Sequence, residues 1–144
     1  FNTFLAAQIF FVDKSLLSNS TRVRDLISAG NVHHIFPREY LKQNGFNDKT
    51  VYNQVANYTY LDTGVNIAIG KKPPNEYFRT ALEQCNTGEI VIGTILNEEC
   101  YYTNLSDNCI PSSVDSMTHR DYQVFLTERR KLMARKIQAF YSAL

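Results

Sequence analysis

Two adjacent histidines, His33 and His34, are the residues of this 144-residue chain best suited to catalysis. Such a pair can supply one metal ligand and one proton acceptor together. Neighbouring strand residues point to opposite faces, so both can serve one site only where the strand ends, twists or bulges. Pro37 favours such an ending, although a lone histidine on a strand is more often a packed core residue.

Two asparagines, Asn57 and Asn66, lie on either side of a predicted strand and the turn that follows it. An amide oxygen at Asn66 could ligate a hard divalent ion. The amide of Asn57 can donate and accept hydrogen bonds at once, which suits the brace of a loop. Asparagine is abundant in this chain, so the pair gains meaning only together with the histidines.

The order of these residues matches the His-Asn-His/Asn signature of the ββα-metal nucleases, and the chain resembles an HNH endonuclease. More closely, it looks like the HNH domain at the carboxyl end of bacterial GmrSD-like proteins. The tail is similar to that family's closing helix, so the resemblance covers roughly residues 31–144, and residues 1–30 match no part of it. It is carried by residues 32–41 (VHHIFPREYL), 52–62 (YNQVANYTYLD), 66–78 (NIAIGKKPPNEYF), 109–114 (CIPSSV) and 125–137 (FLTERRKLMARKI).

The resemblance implies a role for each position. His34 takes the place of the general base, and His33 falls where the family has Asp or His as a metal ligand. Asn66 would complete the protein's hold on a single metal, and Asn57 would brace the loop and orient the base. Because His33 replaces a carboxylate, the site is less negative. Mg²⁺ is the expected ion, with Mn²⁺, Ni²⁺ or Zn²⁺ as alternatives.

The activity implied by the resemblance is metal-dependent hydrolysis of DNA phosphodiester bonds, with neutral His34 taking a proton from water. Arg38, Lys71 and Lys72 lie close in sequence to the proposed ligands and are expected to meet the flanking phosphates. The setting would be restriction or phage defence in the bacterial cytoplasm, with a ParB-like nucleotide-hydrolysing domain upstream. RNA stays open as a substrate. The alternative is a module of the same shape that binds nucleic acid or assembles without cutting.

The amino-acid composition argues against a disordered chain, a zinc knuckle and a membrane-spanning segment. The chain is 44% hydrophobic with 6 Gly and 4 Pro, which excludes disorder, and its net charge of +1 requires any polyanion contact to come from local clusters. Three cysteines without a C-x-x-C pair argue against a zinc knuckle and favour a reducing compartment. The apolar run at residues 4–12 is about half of what a membrane span needs, so no span is expected.

The predicted fold is α+β, a ββα-metal core embedded in several helices and closed by a long C-terminal helix. Residues 1–30 are expected to form a helical junction to an absent upstream domain, with one helix over 1–17 and another over 20–30 that Gly30 ends. In the nuclease domain, residues 31–144, the core at about 31–80 has strands at 31–36 and 58–61. A loop of about twenty residues joins them.

Helices are predicted at 38–43 and 48–55 inside that loop, and a helical or turn segment at 65–69 is followed by a helix that Asn75 caps and that runs to about residue 84. The C-terminal helical part, residues 81–144, should hold one short helix within 86–116. A capping box of Thr118 and Asp121 then starts the long helix. His119 is expected at the surface. The basic cluster of that helix is expected to be a solvated face, with phosphate contact as the alternative: Arg129, Arg130, Lys131, Arg135 and Lys136.

Overall fold

A computed structural model describes residues 1–28 and 32–144 and has an α+β fold, as predicted. The two strands are β1 (Val32–His34) and β2 (Tyr58–Tyr60). Three short 3₁₀ turns lie at Val55–Asn57, Val114–Ser116 and His119–Asp121. The helices of the described residues are α1 (Asn2–Phe10), α2 (Val23–Ile27), α3 (Arg38–Gln43), α4 (Lys49–Tyr52), α5 (Thr63–Ile69), α6 (Pro74–Thr87), α7 (Glu98–Asp107) and α8 (Tyr122–Ala143).

The sheet is a short antiparallel pair in which His33 lies opposite Thr59 and His34 opposite Tyr58. Both strands are shorter than predicted. β1 ends at His34 because the next two residues bond to Asn57 instead of a strand partner: the Ile35 amide donates to its carbonyl (2.8 Å) and the Phe36 amide to its side chain (2.8 Å). Residue 31, the predicted start of the first strand, lies outside the described residues.

The core lies behind the end of β1. Phe36 is fully buried, and its ring packs on those of Tyr122 and Phe125 of α8, with centroids 5.1 and 4.9 Å away. From α6, the buried Tyr77 hydroxyl donates to the Ile35 carbonyl. The two longest helices thereby fix the segment that follows the histidine pair.

The N-terminal segment is joined to this core. Phe4, Leu16 and Leu17 are buried in it, and the Phe1 ring contacts those of Tyr58 and Tyr60 on β2. The single helix predicted over residues 1–17 is wrong in length, because α1 ends at Phe10 and the chain turns where Val12 adopts a left-handed φ of 58°. That turn returns Leu16 and Leu17 to the core.

The second predicted helix is also shorter, since α2 begins after Arg22. The hydroxyl of Ser18 accepts bonds from the Ser20 and Thr21 amides and so closes a turn before the helix. The predicted stop at Gly30 lies outside the described residues.

Two predictions for the C-terminal half are confirmed. Residues 86–116 hold one α-helix, α7, and the capping box of Thr118 and Asp121 is present, although it caps the 3₁₀ turn that leads into α8. The predicted cap of α6 is wrong, because Pro73 precedes the helix and Pro74 is its first residue, while Asn75 lies inside.

The three cysteines are free thiols, Cys109 being buried and Cys100 exposed.

Within the described residues, none of the helices is both long and apolar enough to cross a membrane.

Candidate functional site

A surface cleft of about 340 Å³ lies where β1, α3 and α5 meet. It brings together five of the seven residues predicted to form a site: His33, His34, Arg38, Asn66 and Lys71. The remainder of its lining is Val32, Pro37, Glu39, Ile69 and Gly70.

Local backbone geometry explains this convergence. Pro37, with φ −56° and ψ 139°, ends the extended segment and precedes α3, so Arg38 lies four residues after His34, at the first position of that helix. Asn66 lies in α5, which begins three residues after β2. Gly70 adopts a left-handed φ of 55° that ends α5, and Lys71 follows it at the rim of the cleft.

Asn57 is not part of the lining but is fully buried behind it. Its Oδ1 accepts from the Phe36 amide (2.8 Å), and its Nδ2 donates to the carbonyls of Phe36 (3.1 Å) and Tyr52 (3.2 Å). The side chain therefore ties the backbone just after His34 to the loop before β2. These are contacts that a loop brace needs.

The imidazole of His34 is half-buried, edge-on to the rings of Tyr58 (5.4 Å) and Tyr52 (6.2 Å). Its Nε2 forms a hydrogen bond of 2.8 Å with Oδ1 of Asn53. Burial lowers the pKa of His34, the bond to Asn53 opposes that effect, and the positive charge of Arg38 reinforces it. The ring is therefore neutral at neutral pH and can accept a proton.

His33 lies on the same cleft, and its pKa is lowered by burial and by the neighbouring His34. A neutral imidazole is the form that binds metals. The described residues contain no group of three or more His, Cys, Asp or Glu side chains arranged to hold a metal. The cleft lining includes His33, Asn66 and Glu39, whose side chains carry nitrogen and oxygen atoms of the kinds that divalent ions take as ligands.

Of the three predicted phosphate contacts, two line the cleft and one does not. Arg38 and Lys71 line the cleft, and the Arg38 guanidinium lies 3.7 Å from the Glu39 carboxylate with more than half of its side chain exposed. Lys72 lies outside the lining, where its ammonium donates to the Ala68 carbonyl (2.9 Å) at the end of α5.

The basic cluster of α8 is only partly a solvated face. Arg130, Lys131 and Arg135 are exposed, and Lys136 pairs with the buried carboxylate of Asp13. For Arg129 the prediction is wrong in both of its forms, because its side chain is 1% exposed and contacts neither solvent nor the cleft. The apolar contacts of α8 draw this position into the core.

His119 also differs from its prediction. It is half-buried, with its Nδ1 3.3 Å from the Tyr40 hydroxyl and its amide donating to the same oxygen. It lies away from the cleft lining.

Two residues of the site were missed from the sequence, Asn53 and Glu39. Glu39 directly follows Arg38, so its place next to a predicted phosphate contact is a signal that could have identified it. Asn53 is 19 residues from His34, and only the folded loop brings the two together.

No family model matches the chain, and no solved structure matches it. The chain is similar to an uncharacterized protein of the archaeon Methanocaldococcus jannaschii, with 29% identity over 119 residues that cover 73% of this chain. The aligned region is 20% of that protein, so the chain spans about a fifth of the relative's length.

Proposed function

We propose that this chain is a metal-dependent endonuclease domain of the HNH type, with β1, β2 and α5 as its ββα-metal unit. One observation carries the proposal. His33, His34 and Asn66 line a single cleft, while the buried Asn57 ties the backbone that follows His34 to the loop before β2. The resemblance assigns these four positions the roles of ligand, base, ligand and brace.

In the proposed reaction a water oxygen attacks the phosphorus of a DNA phosphodiester. His34 accepts the proton that this water loses, because its lowered pKa keeps the ring neutral. The bond from phosphorus to the 3′ oxygen breaks, and that oxygen takes a proton from a solvent water, which leaves a 5′-phosphate and a 3′-hydroxyl. Arg38 and Lys71, both in the cleft lining, would hold the flanking phosphates.

His33 and Asn66 would hold the metal, with the Glu39 carboxylate in the same lining. A bound divalent ion would neutralise the negative charge that develops on the phosphate and the leaving oxygen. Mg²⁺ accepts such oxygen-rich, hydrated sites, whereas the imidazole of His33 also suits Mn²⁺, Ni²⁺ or Zn²⁺.

The wider setting is proposed from the resemblance: restriction or phage defence in the bacterial cytoplasm, with DNA as the partner and a ParB-like nucleotide-hydrolysing domain upstream. Residues 1–30 would form the junction to that domain. The similar archaeal protein is about five times as long as the aligned region, which leaves length for further domains in that relative.

The test is nicking of supercoiled plasmid by the chain in EDTA, Mg²⁺, Mn²⁺, Ni²⁺ or Zn²⁺. We expect nicking that requires a metal, and a loss of about 100-fold or more in His34→Ala because a general base contributes that much. Asn66→Ala should require more metal for the same rate. His119→Ala is the matched control, since it removes the third histidine, which lies away from the cleft.

Nicking in EDTA, or full activity in His34→Ala, would contradict the proposal. A folded chain that shifts DNA in a gel and cuts with none of these metals would favour the alternative, a nucleic-acid-binding module with the same shape. Repeating the assay with the full-length parent protein would then test whether an upstream domain is required for cleavage.

A further inference from the structure

The hydrogen bond between His34 and Asn53 joins two residues 19 positions apart in the sequence. The atoms involved are Nε2 of the imidazole and the Oδ1 oxygen of the amide, 2.8 Å apart. An amide oxygen can only accept, so this contact requires a proton on Nε2. In a neutral ring the lone pair is then on Nδ1.

The position of Asn53 is fixed by the backbone on which it lies. Asn53 directly follows α4, and its own amide donates to the carbonyl of Lys49, the first residue of that helix (2.9 Å). The preceding residue, Tyr52, is held through its carbonyl by the Asn57 side chain (3.2 Å), and the Val51 carbonyl accepts from the Tyr122 hydroxyl (2.7 Å). Three successive residues of this loop are therefore anchored.

Asn57 also fixes the other end of the contact, because it bonds both backbone groups of Phe36, two residues beyond His34. A single buried amide thus sets the distance between the strand that carries the imidazole and the loop that carries Asn53. The rings of Tyr52 and Tyr58, edge-on to the imidazole, restrict its rotation.

We propose that Asn53 is a positioning residue that holds His34 in the Nε2-protonated tautomer and so leaves Nδ1 to take the proton from the attacking water. The catalytic part of this statement rests on the proposed nuclease function. The tautomer itself is a property of the folded chain and is measurable in the absence of any substrate.

The first arm of the test is ¹⁵N NMR of the histidine rings in the 144-residue chain at pH 8.5, in EDTA and in Mg²⁺. We expect Nε2 of His34 to resonate as an N–H nitrogen and Nδ1 as an unprotonated one. Asn53→Leu removes the acceptor at similar volume, so both shifts should move toward the average of the two tautomers. Asn53→Asp keeps an acceptor oxygen and should keep the wild-type tautomer.

Asn47→Leu is the control, since it makes the same substitution at an exposed asparagine of the same loop. It should leave both ring shifts of His34 unchanged, and circular dichroism checks that each variant folds. A wild-type ring protonated on Nδ1, or Asn53→Leu shifts identical to those of the wild type, would overturn the proposal.

The second arm is the nicking rate at pH 8.5. Loss of a residue that orients a site histidine typically lowers activity about 10- to 100-fold, so we expect that fall in kcat for Asn53→Leu with KM for plasmid unchanged. Asn53→Asp should restore most of the rate. An unchanged kcat together with a shifted tautomer would overturn the positioning role but leave the nuclease proposal intact. Absence of cleavage by both the chain and its full-length parent protein would contradict the nuclease proposal, while the NMR arm would still decide the tautomer.

Discussion

At His34 two local effects act on the same imidazole in opposite directions. Burial disfavours the charged ring, while the oxygen of Asn53 favours a protonated one, and the net result is a lowered pKa. A base needs both properties, a neutral ring at working pH and a fixed orientation. The lowered pKa and the fixed orientation of His34 could not be inferred from the two adjacent histidines. Both depend on the Asn53 side chain of the loop and on the Tyr58 ring of β2.

The rate of cleavage should depend on pH in a direction set by this shift. Because the pKa of His34 lies below the ordinary 6.5, most of the base is neutral at pH 7, and it is lost as the pH falls through the lowered pKa. We therefore expect a flat rate from about pH 7 to 8.5 and a decline with a midpoint below pH 6.5. Initial nicking rates from pH 5 to 9 at saturating metal measure it.

A midpoint at or above pH 6.5, or a rate that does not fall anywhere in the acid range where the chain stays folded, would contradict this assignment of His34. His119→Ala serves again as the control, and its profile should overlay that of the wild type.

Among individual residues, the sequence identified those whose chemistry is distinctive. The two histidines, Asn66 and the cation pair of Arg38 and Lys71 line the cleft as a group. The contact of Asn53 with His34 was missed, because nothing in the local sequence around an asparagine 19 residues away indicates it.

Among the elements, the turn at Leu17 lies against the turn at Gly93 in the segment between α6 and α7. Gly93 has a φ of 67°, and a Cβ at this position would lie 2.1 Å from the Leu17 carbonyl oxygen. Leu17 itself adopts a left-handed φ of 62°, and its carbonyl accepts from the Thr94 amide (3.0 Å). This contact connects the N-terminal segment to the loop before α7.

Gly93→Ala should therefore destabilise the protein by about 2–4 kcal/mol, from left-handed strain together with a backbone clash. Gly88→Ala is the matched control, since its φ of 76° is similar but a Cβ there would meet nothing within 4 Å. It should cost only about 1 kcal/mol. Urea denaturation followed by circular dichroism gives both values. Equal losses in the two variants would show that the contact with Leu17 contributes nothing.

The boundaries of helices and strands were predicted less well than their existence, because contacts with distant segments decide where an element ends. The apolar run of residues 4–12 predicted a continuous helix, whereas the core required a turn at Val12 that returns Leu16 and Leu17 to it. The capping box of Thr118 and Asp121 was correct because a cap depends on neighbours three residues apart.

Across the whole molecule, Arg129 links three parts of the fold. Its guanidinium donates to the carbonyls of Ala56 (3.0 Å), Tyr58 and Asn108, and it lies over the Phe4 ring (5.6 Å). Burial lowers its pKa to about 10, so it remains charged at neutral pH. One side chain of α8 thus holds the loop before β2, the end of α7 and the N-terminal helix.

Arg129→Met should destabilise the fold by about 2–4 kcal/mol. It removes a costly buried charge, but it also leaves three carbonyls without their donor. Arg130→Met is the control on the adjacent exposed residue and should change stability by less than about 0.5 kcal/mol. Thermal and urea denaturation compare the two. A wild-type stability for Arg129→Met would mean that the three bonds are not needed.

Sequence pattern alone was enough to predict the mixed α+β class, the long C-terminal helix with its capping box, and five of the residues that line the cleft. These depend on residue type, periodicity and spacing over a few positions. Three features became visible only in the folded chain: the contact of Asn53 with His34, the burial of Arg129, and the return of the N-terminal segment to the core. Those outcomes depend on contacts between segments tens of residues apart, which local pattern does not encode.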